Sequence, residues 1–300
     1  MSEHPRHVLF VGIDGVRWDV LQSVATPSLD RVADVGFATP LQIHATGRSI
    51  SGPSWATMFT GTLTGSHQIH DNDFTRARLA EHPDVISTAV RHREGLQSWA
   101  GADWLPLVTE ESGGPLLALG GYGSDRNRSP DATPADWYEG DKQVTDRAVA
   151  ALSSYDSATG SITFVYLHAV DVAGHKLGVG DGYREAIIES DRRLGAVLDA
   201  VEARPTRADE DWLVIVATDH GHRDEGGHGD DSVEERTAWI AACGTDIPTD
   251  ADHLMVEQAD VAGHILHVLQ VPPVSDAFVG VPFGTRTAPI TSEGRPSAAR

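Results

Sequence analysis

Cysteine is nearly missing from this 300-residue chain: Cys243 is the only one. A single thiol can form no intrachain disulfide, and nothing in the cysteine usage argues for an oxidising compartment. Also missing is any Lys/Arg-rich run, in a chain with 44 acidic against 23 basic residues and a formal net charge of -21. Without a basic stripe there is no electrostatic footprint for polymeric nucleic acid or an anionic membrane, and neither is expected as a partner. No apolar stretch approaches the roughly 20 residues that a membrane-spanning helix needs. Residues Met1 to Arg6 lead into a short strand broken by Asp14 rather than into a signal-peptide pattern, so a cytoplasmic setting is expected. No linker divides the chain and no repeat stands out. One domain is expected over residues 1–284, followed by a loose tail, 285–300, that lacks an apolar pattern.

What is present is a set of strand-like apolar runs that end abruptly in acid. Trp212-Leu-Val-Ile-Val-Ala-Thr218 runs into Asp219 and His220, then Gly227-His228-Gly229. His7 to Ile13 runs into Asp14, and Ile162 to Val170 runs into Asp171, with His175 four residues on. A strand buried on both faces carries no polar side chain until it leaves the sheet, and the C-terminal edge of such strands is where open α/β sheets bind ligands. If the three strands are parallel neighbours, three carboxylates (Asp14, Asp171, Asp219) and three imidazoles (His175, His220, His228) share one small volume. Uncompensated carboxylates repel, so a cation is expected between them, and mixed Asp/His ligation suits zinc or manganese. Taken singly, each aspartate reads equally well as a helix cap and each histidine as an ordinary surface or core residue. The repeated pairing of acid with imidazole carries the argument.

The remaining pattern alternates strands and helices, which predicts an α/β fold: a mostly parallel central sheet with helices on both faces. Helices are expected over Thr26–Gly36, from Pro53 to Gly61, and over Pro83–Glu94, Asp141–Leu152, Gly182–Ala203 and Gln258–Leu269. Further strands are expected at Phe37–Ile43, Gln97–Ala100, Arg236–Ala242 and His253–Val256. Residues 101–140, rich in Gly, Asp, Pro, Trp and Tyr with Leu116–Leu119 their one strand-like piece, read as a substrate-facing insertion or an ordinary surface loop. Ser51 falls at or just before a helix start. There it is either an N-cap or a nucleophile whose alkoxide the helix terminus and a metal would stabilise, and the neighbouring ligand set favours the second.

Together these motifs resemble the alkaline phosphatase superfamily, most closely its type I phosphodiesterase/nucleotide pyrophosphatase branch. The resemblance rests on Ile13-Asp14-Gly-Val-Arg-Trp-Asp19, Ser51-Gly-Pro-Ser-Trp-Ala-Thr-Met-Phe-Thr-Gly61 with His67 after it, Asp171-Val-Ala-Gly-His175, Thr218-Asp219-His220-Gly221 and Gly227-His228-Gly229, in family order. It implies an alkaline-phosphatase-like sandwich and two divalent ions, zinc first and manganese as the alternative. Asp171, His175 and His228 would hold one ion; Asp14, Asp219 and His220 with the Ser51 oxygen would hold the other. The branch usually carries Thr followed by Phe-Pro-Asn-His, so here the asparagine that would contact phosphate is replaced by the hydroxyl of Ser54. The implied activity is hydrolysis of a phosphodiester or pyrophosphate bond in a small nucleotide-type substrate, with Ser51 as nucleophile. A phosphomonoesterase or phosphate mutase is the alternative. A sulfatase is weaker, because Trp55 stands where that motif usually has arginine, and a silent binding module is weaker still because all six ligands are intact.

Overall fold

Strand β1 (Arg6–Ile13) is buried from His7 onward, as a strand covered by helices on both faces must be. A computed structural model of the chain describes residues 4–124, 126, 129–156, 158–248 and 254–291. After β1 come α1 (Trp18–Leu21), α2 (Pro27–Ala33), β2 (Phe37–Gln42), α3 (Ser51–Thr60), α4 (Thr64–His67), α5 (Val85–His92) and β3 (Gln97–Ala102). The second half holds β4 (Tyr122–Gly123), α6 (Pro134–Ser154), β5 (Ser161–Leu167), α7 (Ala169–Leu177), α8 (Asp181–Glu202), β6 (Asp211–Thr218), α9 (Val233–Arg236), β7 (Thr237–Gly244) and α10 (Asp260–Leu269). Among the described residues no helix is long and apolar enough to cross a membrane.

The strands form a seven-stranded sheet in the order β2-β7-β6-β1-β5-β3-β4. Its pairings are parallel except at β7, which runs against both β6 and β2. The expected α/β fold with a mostly parallel sheet is therefore the observed one. Alternation along β1 divides the core. Val8 and Phe10 face the layer of α3, α5 and α10, while Leu9 and Val11 face the layer of α2, α6 and α8. On the first face Phe10, Trp55, Phe59 and Phe164 stack at tilted and edge-on angles, with centroids between 4.7 and 6.4 Å. Such aromatic pairs add about 0.5–1.5 kcal/mol each beyond the burial of their area.

Registry levels the strand ends that matter. Gly12 lies opposite Ala217 of β6 and Tyr166 of β5, so Asp14, Asp219 and the start of α7 emerge together at one edge.

Five expectations change. The strand expected over Ile162–Val170 stops at Leu167, because Asp141 accepts the His168 and Ala169 N–H groups and starts α7 there. Helix α6 begins at Pro134 rather than Asp141: Thr133 and Asp136 form a capping box with Pro134 at the first position, which shortens the expected insertion. Leu116–Leu119 forms bends and turns, with Leu116 and Leu117 buried in the core, and Leu254–Val256 is not a strand; His253 lies outside the described residues. Residues 285–291 are fastened rather than loose. Arg286 grips both oxygens of buried Asp260, Ile290 is buried, and its N–H donates to Glu257 Oε1 at 2.7 Å. One arginine and one isoleucine suffice for this, and neither makes a periodic pattern. Residues 292–300 lie outside the described set.

Candidate active site

Asp14 leaves the end of β1 fully buried, with its Oδ2 held by Trp55 Nε1–H at 3.1 Å and by the Tyr166 hydroxyl. Asp219, just past β6, is also fully buried and accepts the Gly15 N–H on Oδ1 at 3.2 Å. The other oxygens, Asp14 Oδ1 and Asp219 Oδ2, have no donor. His220 Nε2 stands 3.3 Å from Asp219 Oδ2 and 3.5 Å from Asp14 Oδ1, off the line of a hydrogen bond in both cases. The Nδ1 of this ring faces the Gly221 carbonyl at 3.0 Å, which places the proton there and leaves a lone pair on Nε2. Ser51 Oγ lies 3.2 Å from that nitrogen.

These groups are electrostatically unsatisfied. Burial, then the charge of Asp171, raises the Asp14 carboxyl above its ordinary pKa; burial, then Asp14 and Asp171, pushes Asp219 well above it. Burial and the neighbouring His228 hold His220 well below the usual imidazole range. A buried carboxylate oxygen without a donor is costly, and two that share a neighbourhood are worse. Asp14, Asp219 and His220 each offer a ligand atom within 4.8 Å of the others. The residues present therefore fit a divalent cation, which would satisfy both oxygens and the imidazole lone pair at once.

Asp171 and His175 occupy one face of α7, four residues apart. Asp171 Oδ1 is approached by Nε2 of His222 at 2.9 Å, of His228 at 3.4 Å and of His175 at 3.6 Å, and Oδ2 by His168 Nε2 at 3.2 Å. His175 and His228 bring their Nε2 atoms within 3.0 Å of each other. His228 Nδ1 meets the Ser49 carbonyl at 2.6 Å, again leaving the lone pair on Nε2. Two imidazole nitrogens and a carboxylate oxygen converge on a point that a second cation would fill. Burial opposes the charge on Asp171, but His168, His222 and His228 outweigh it and hold its carboxyl well below the ordinary range. Burial likewise opposes a proton on His168, yet Asp171 overrides it and brings that imidazole up to about 9.

Ser51 is the first residue of α3; the cap position belongs to Ile50, whose side chain caps nothing. The N-cap reading of Ser51 thus gives way, since its buried hydroxyl is directed at His220 instead. Ser54, expected at the substrate, is 1% exposed and gives its hydroxyl to the Arg48 carbonyl at 3.4 Å. It is the fourth residue of α3. A different residue stands at the helix start: Asn72, in the turn after α4, accepts the Gly52 N–H on Oδ1 at 2.8 Å, and its amide nitrogen remains a donor beside Ser51. Asn72, His222 and His168 were not singled out from the sequence. Only His222 left a trace there, as the second histidine of Asp219-His-Gly-His222.

The chain matches the family model of type I phosphodiesterase / nucleotide pyrophosphatase over residues 8–266. Among curated proteins it is 23% identical over 241 residues to ectonucleotide pyrophosphatase/phosphodiesterase family member 7 of Rattus norvegicus, and equally to that of Mus musculus. The match covers 71% of this chain but 49% of each relative, so the chain spans about half the length of the curated relatives it matches. Among solved structures, murine ectonucleotide pyrophosphatase / phosphodiesterase 5, in an inactive form in complex with AMP, superposes with a TM-score of 0.62 at 15% identity, covering 89% of this chain and 96% of that one. A 2-O GAG sulfatase superposes with a TM-score of 0.67 at 14% identity, covering 93% and 73%. Identities this low show a shared fold and no more; the family match, by contrast, runs from Val8 in β1 to Leu266 in α10 and takes in every ligand gathered at the strand edge. On that ground the chain belongs to the type I phosphodiesterase/nucleotide pyrophosphatase family, within the alkaline phosphatase superfamily.

Proposed function

We propose that this protein is a two-metal phosphohydrolase that cleaves a phosphodiester or pyrophosphate bond of a small nucleotide-type substrate, with Ser51 as nucleophile. The observation that carries the reading is the pair of buried carboxylate oxygens, Asp14 Oδ1 and Asp219 Oδ2, left without donors beside the Ser51 hydroxyl. Asp14, Asp219, His220 and Ser51 would hold one ion, and Asp171, His175 and His228 the other, with zinc the first choice and manganese the second. Bound there, the pair would lower the cost of ionising the attacking oxygen and of building charge on the leaving oxygen.

The chain's own groups do the rest. Ser51 presents Oγ at the N-terminal end of α3, where the helix dipole favours negative charge on the attacking oxygen and on the phosphate. Attack on phosphorus expels the leaving group and forms a phosphoseryl or nucleotidyl-seryl ester, which water then hydrolyses. Asn72, fixed by the Gly52 N–H, offers its amide nitrogen to a phosphate oxygen and so takes the place sought in Ser54. Two arginines that follow the ligand motifs are paired with acids. Arg223 pairs with Asp230 at 2.5 Å and Arg236 with Asp231 at 3.2 Å. A diester, with one negative charge fewer than a monoester dianion, needs fewer basic groups beside the two ions.

The test compares rates on a nitrophenyl phosphate diester, the monoester and the sulfate, each with added zinc or manganese. The diester is expected to react fastest and chelation to abolish the reaction. Faster monoester cleavage would move the assignment to a phosphomonoesterase or mutase, and faster sulfate cleavage to a sulfatase.

A further inference from the structure

His222 is fully buried, and room for its ring is made by two glycines. A Cβ on Gly15, whose φ is +70°, would come within 2.8 Å of His222 Nε2, and one on Gly174 within 2.6 Å of the ring. The ring therefore sits in a slot between the end of β1 and the face of α7 that carries Asp171. Its Nδ1 accepts the Gly227 N–H at 3.1 Å. An acceptor nitrogen carries no proton, so in the neutral ring the proton is on Nε2, where it donates to Asp171 Oδ1 at 2.9 Å. Both nitrogens are then committed. His228 differs: its Nδ1 meets a carbonyl, which leaves a lone pair on Nε2.

His222 lies within the same 4.8 Å cluster as Asp171, His220 and His228, so proximity alone would count it a ligand. We propose instead that His222 is a positioning residue: it fixes Oδ1 of Asp171 and, through the Gly227 N–H, pins the turn that delivers His228 to the ion. The proposal rests on the two-metal reading above. Outer partners of this kind orient the ligands, and losing one typically lowers metal affinity by about 10–100-fold.

Two measurements on the full chain test it. In nitrogen-15 imidazole spectra of the wild type, His222 is expected to show an unprotonated Nδ1 and a protonated Nε2, both without metal and with zinc. Loss of the Nε2 proton on zinc binding would make His222 a ligand and overturn the proposal; this needs no variant to fold. In the second, His222→Met fills the slot without donating a hydrogen bond, and His222→Gln restores a donor. The expected result is a drop of about 10–100-fold in zinc affinity at one of two sites for His222→Met, with part of it recovered in His222→Gln. Cobalt-saturated His222→Met should keep the visible absorption pattern of the wild type, since the ligand set is unchanged, and an altered pattern would overturn the proposal. Variants that bind zinc as tightly as the wild type overturn this inference alone. A wild type that takes up neither zinc nor cobalt overturns the two-metal reading, and this inference with it.

Discussion

At the residue scale, Ser51 and the two donorless carboxylates make separable predictions. Ser51→Ala should abolish turnover yet keep most of the bound metal, because the remaining side chains of both sets still converge; Ser51→Thr should keep some activity, since the related branch uses threonine there. Equal metal loss and activity loss in Ser51→Ala would mean that the hydroxyl serves mainly as a ligand. Asp219→Asn has a less obvious consequence. In metal-free protein it removes a buried carboxyl whose charge burial, Asp14 and Asp171 all oppose, so the unfolding temperature in chelator should rise, by about 2–4 °C for each kcal/mol relieved. The stabilisation that zinc gives the wild type should at the same time shrink by the share of that site, while the set of Asp171, His175 and His228 keeps its own. A fall in the metal-free unfolding temperature would show that the Gly15 N–H bond to Asp219 outweighs the repulsion. The acids that end strands were legible because a buried parallel strand tolerates no polar residue before its edge. Asn72 and His168 were not, since an asparagine in a turn and a histidine at a helix start have local explanations, and only the folded chain brings them to Ser51 and Asp171.

At the scale of elements, α7 is placed by a buried carboxylate. Asp141 of α6 accepts the His168 N–H at 2.8 Å and the Ala169 N–H at 3.2 Å, and burial, then Asp103, raises its carboxyl to about 8. Asp141→Ala orphans one buried and one part-buried donor and should destabilise the fold by about 1–3 kcal/mol. Because α7 carries Asp171 and His175, metal affinity should fall too, and Asp141→Asn, which keeps one acceptor and the volume, should recover most of both. Denaturant unfolding and zinc titration of the two variants check this; an unaffected zinc affinity in Asp141→Ala would show that α7 is held by packing alone. The sequence showed that a strand met an acid near residue 170 but not that the acid had crossed into a helix. The run of apolar residues from Ile162 to Val170 is continuous, and the interruption comes from Asp141, distant in sequence. The early start of α6 was the opposite case, since Thr133, Pro134 and Asp136 form a local signal inside a stretch whose composition suggested a loop.

At the scale of the whole molecule, part of the acid sensitivity outside the active site should come from the opposite end of the sheet. At the start of β1, His7 is fully buried, stacks on Trp212 at 4.6 Å and hydrogen-bonds Ser161 Oγ at 2.9 Å. Burial lowers its pKa to about 4. Glu210, beside it, is clamped by Arg204, Thr206 and Trp212; burial opposes its charge, but these partners, Arg204 foremost, hold it at about 2. Both folded values lie below the unfolded ones, so the unfolded chain binds protons first as pH falls. His7 should lose its contribution between pH 6.5 and about 4, and Glu210 between 4.5 and about 2. Each loss is at most about 3–4 kcal/mol. Unfolding free energy measured against pH in chelator should fall across the upper window and fall less steeply there in His7→Gln, with His67 and His264, which burial lowers to about 3 and about 4, supplying the remainder; a His7→Gln profile as steep as that of the wild type would contradict the account. At the other end of the same strand, Trp55 donates its indole N–H to Asp14, and its ring lies so close to β1 that a Cβ on Gly12 would approach within 2.5 Å. That contact turns one of the seven tryptophans into an optical gauge of the site. Arrival of a cation beside Asp14 changes the field along the indole, so intrinsic emission should shift on zinc addition, and Trp55→Phe should remove most of the response while leaving the other six emitters in place. The protein then carries its own dye, and the filling of the site could be followed in real time without a substrate.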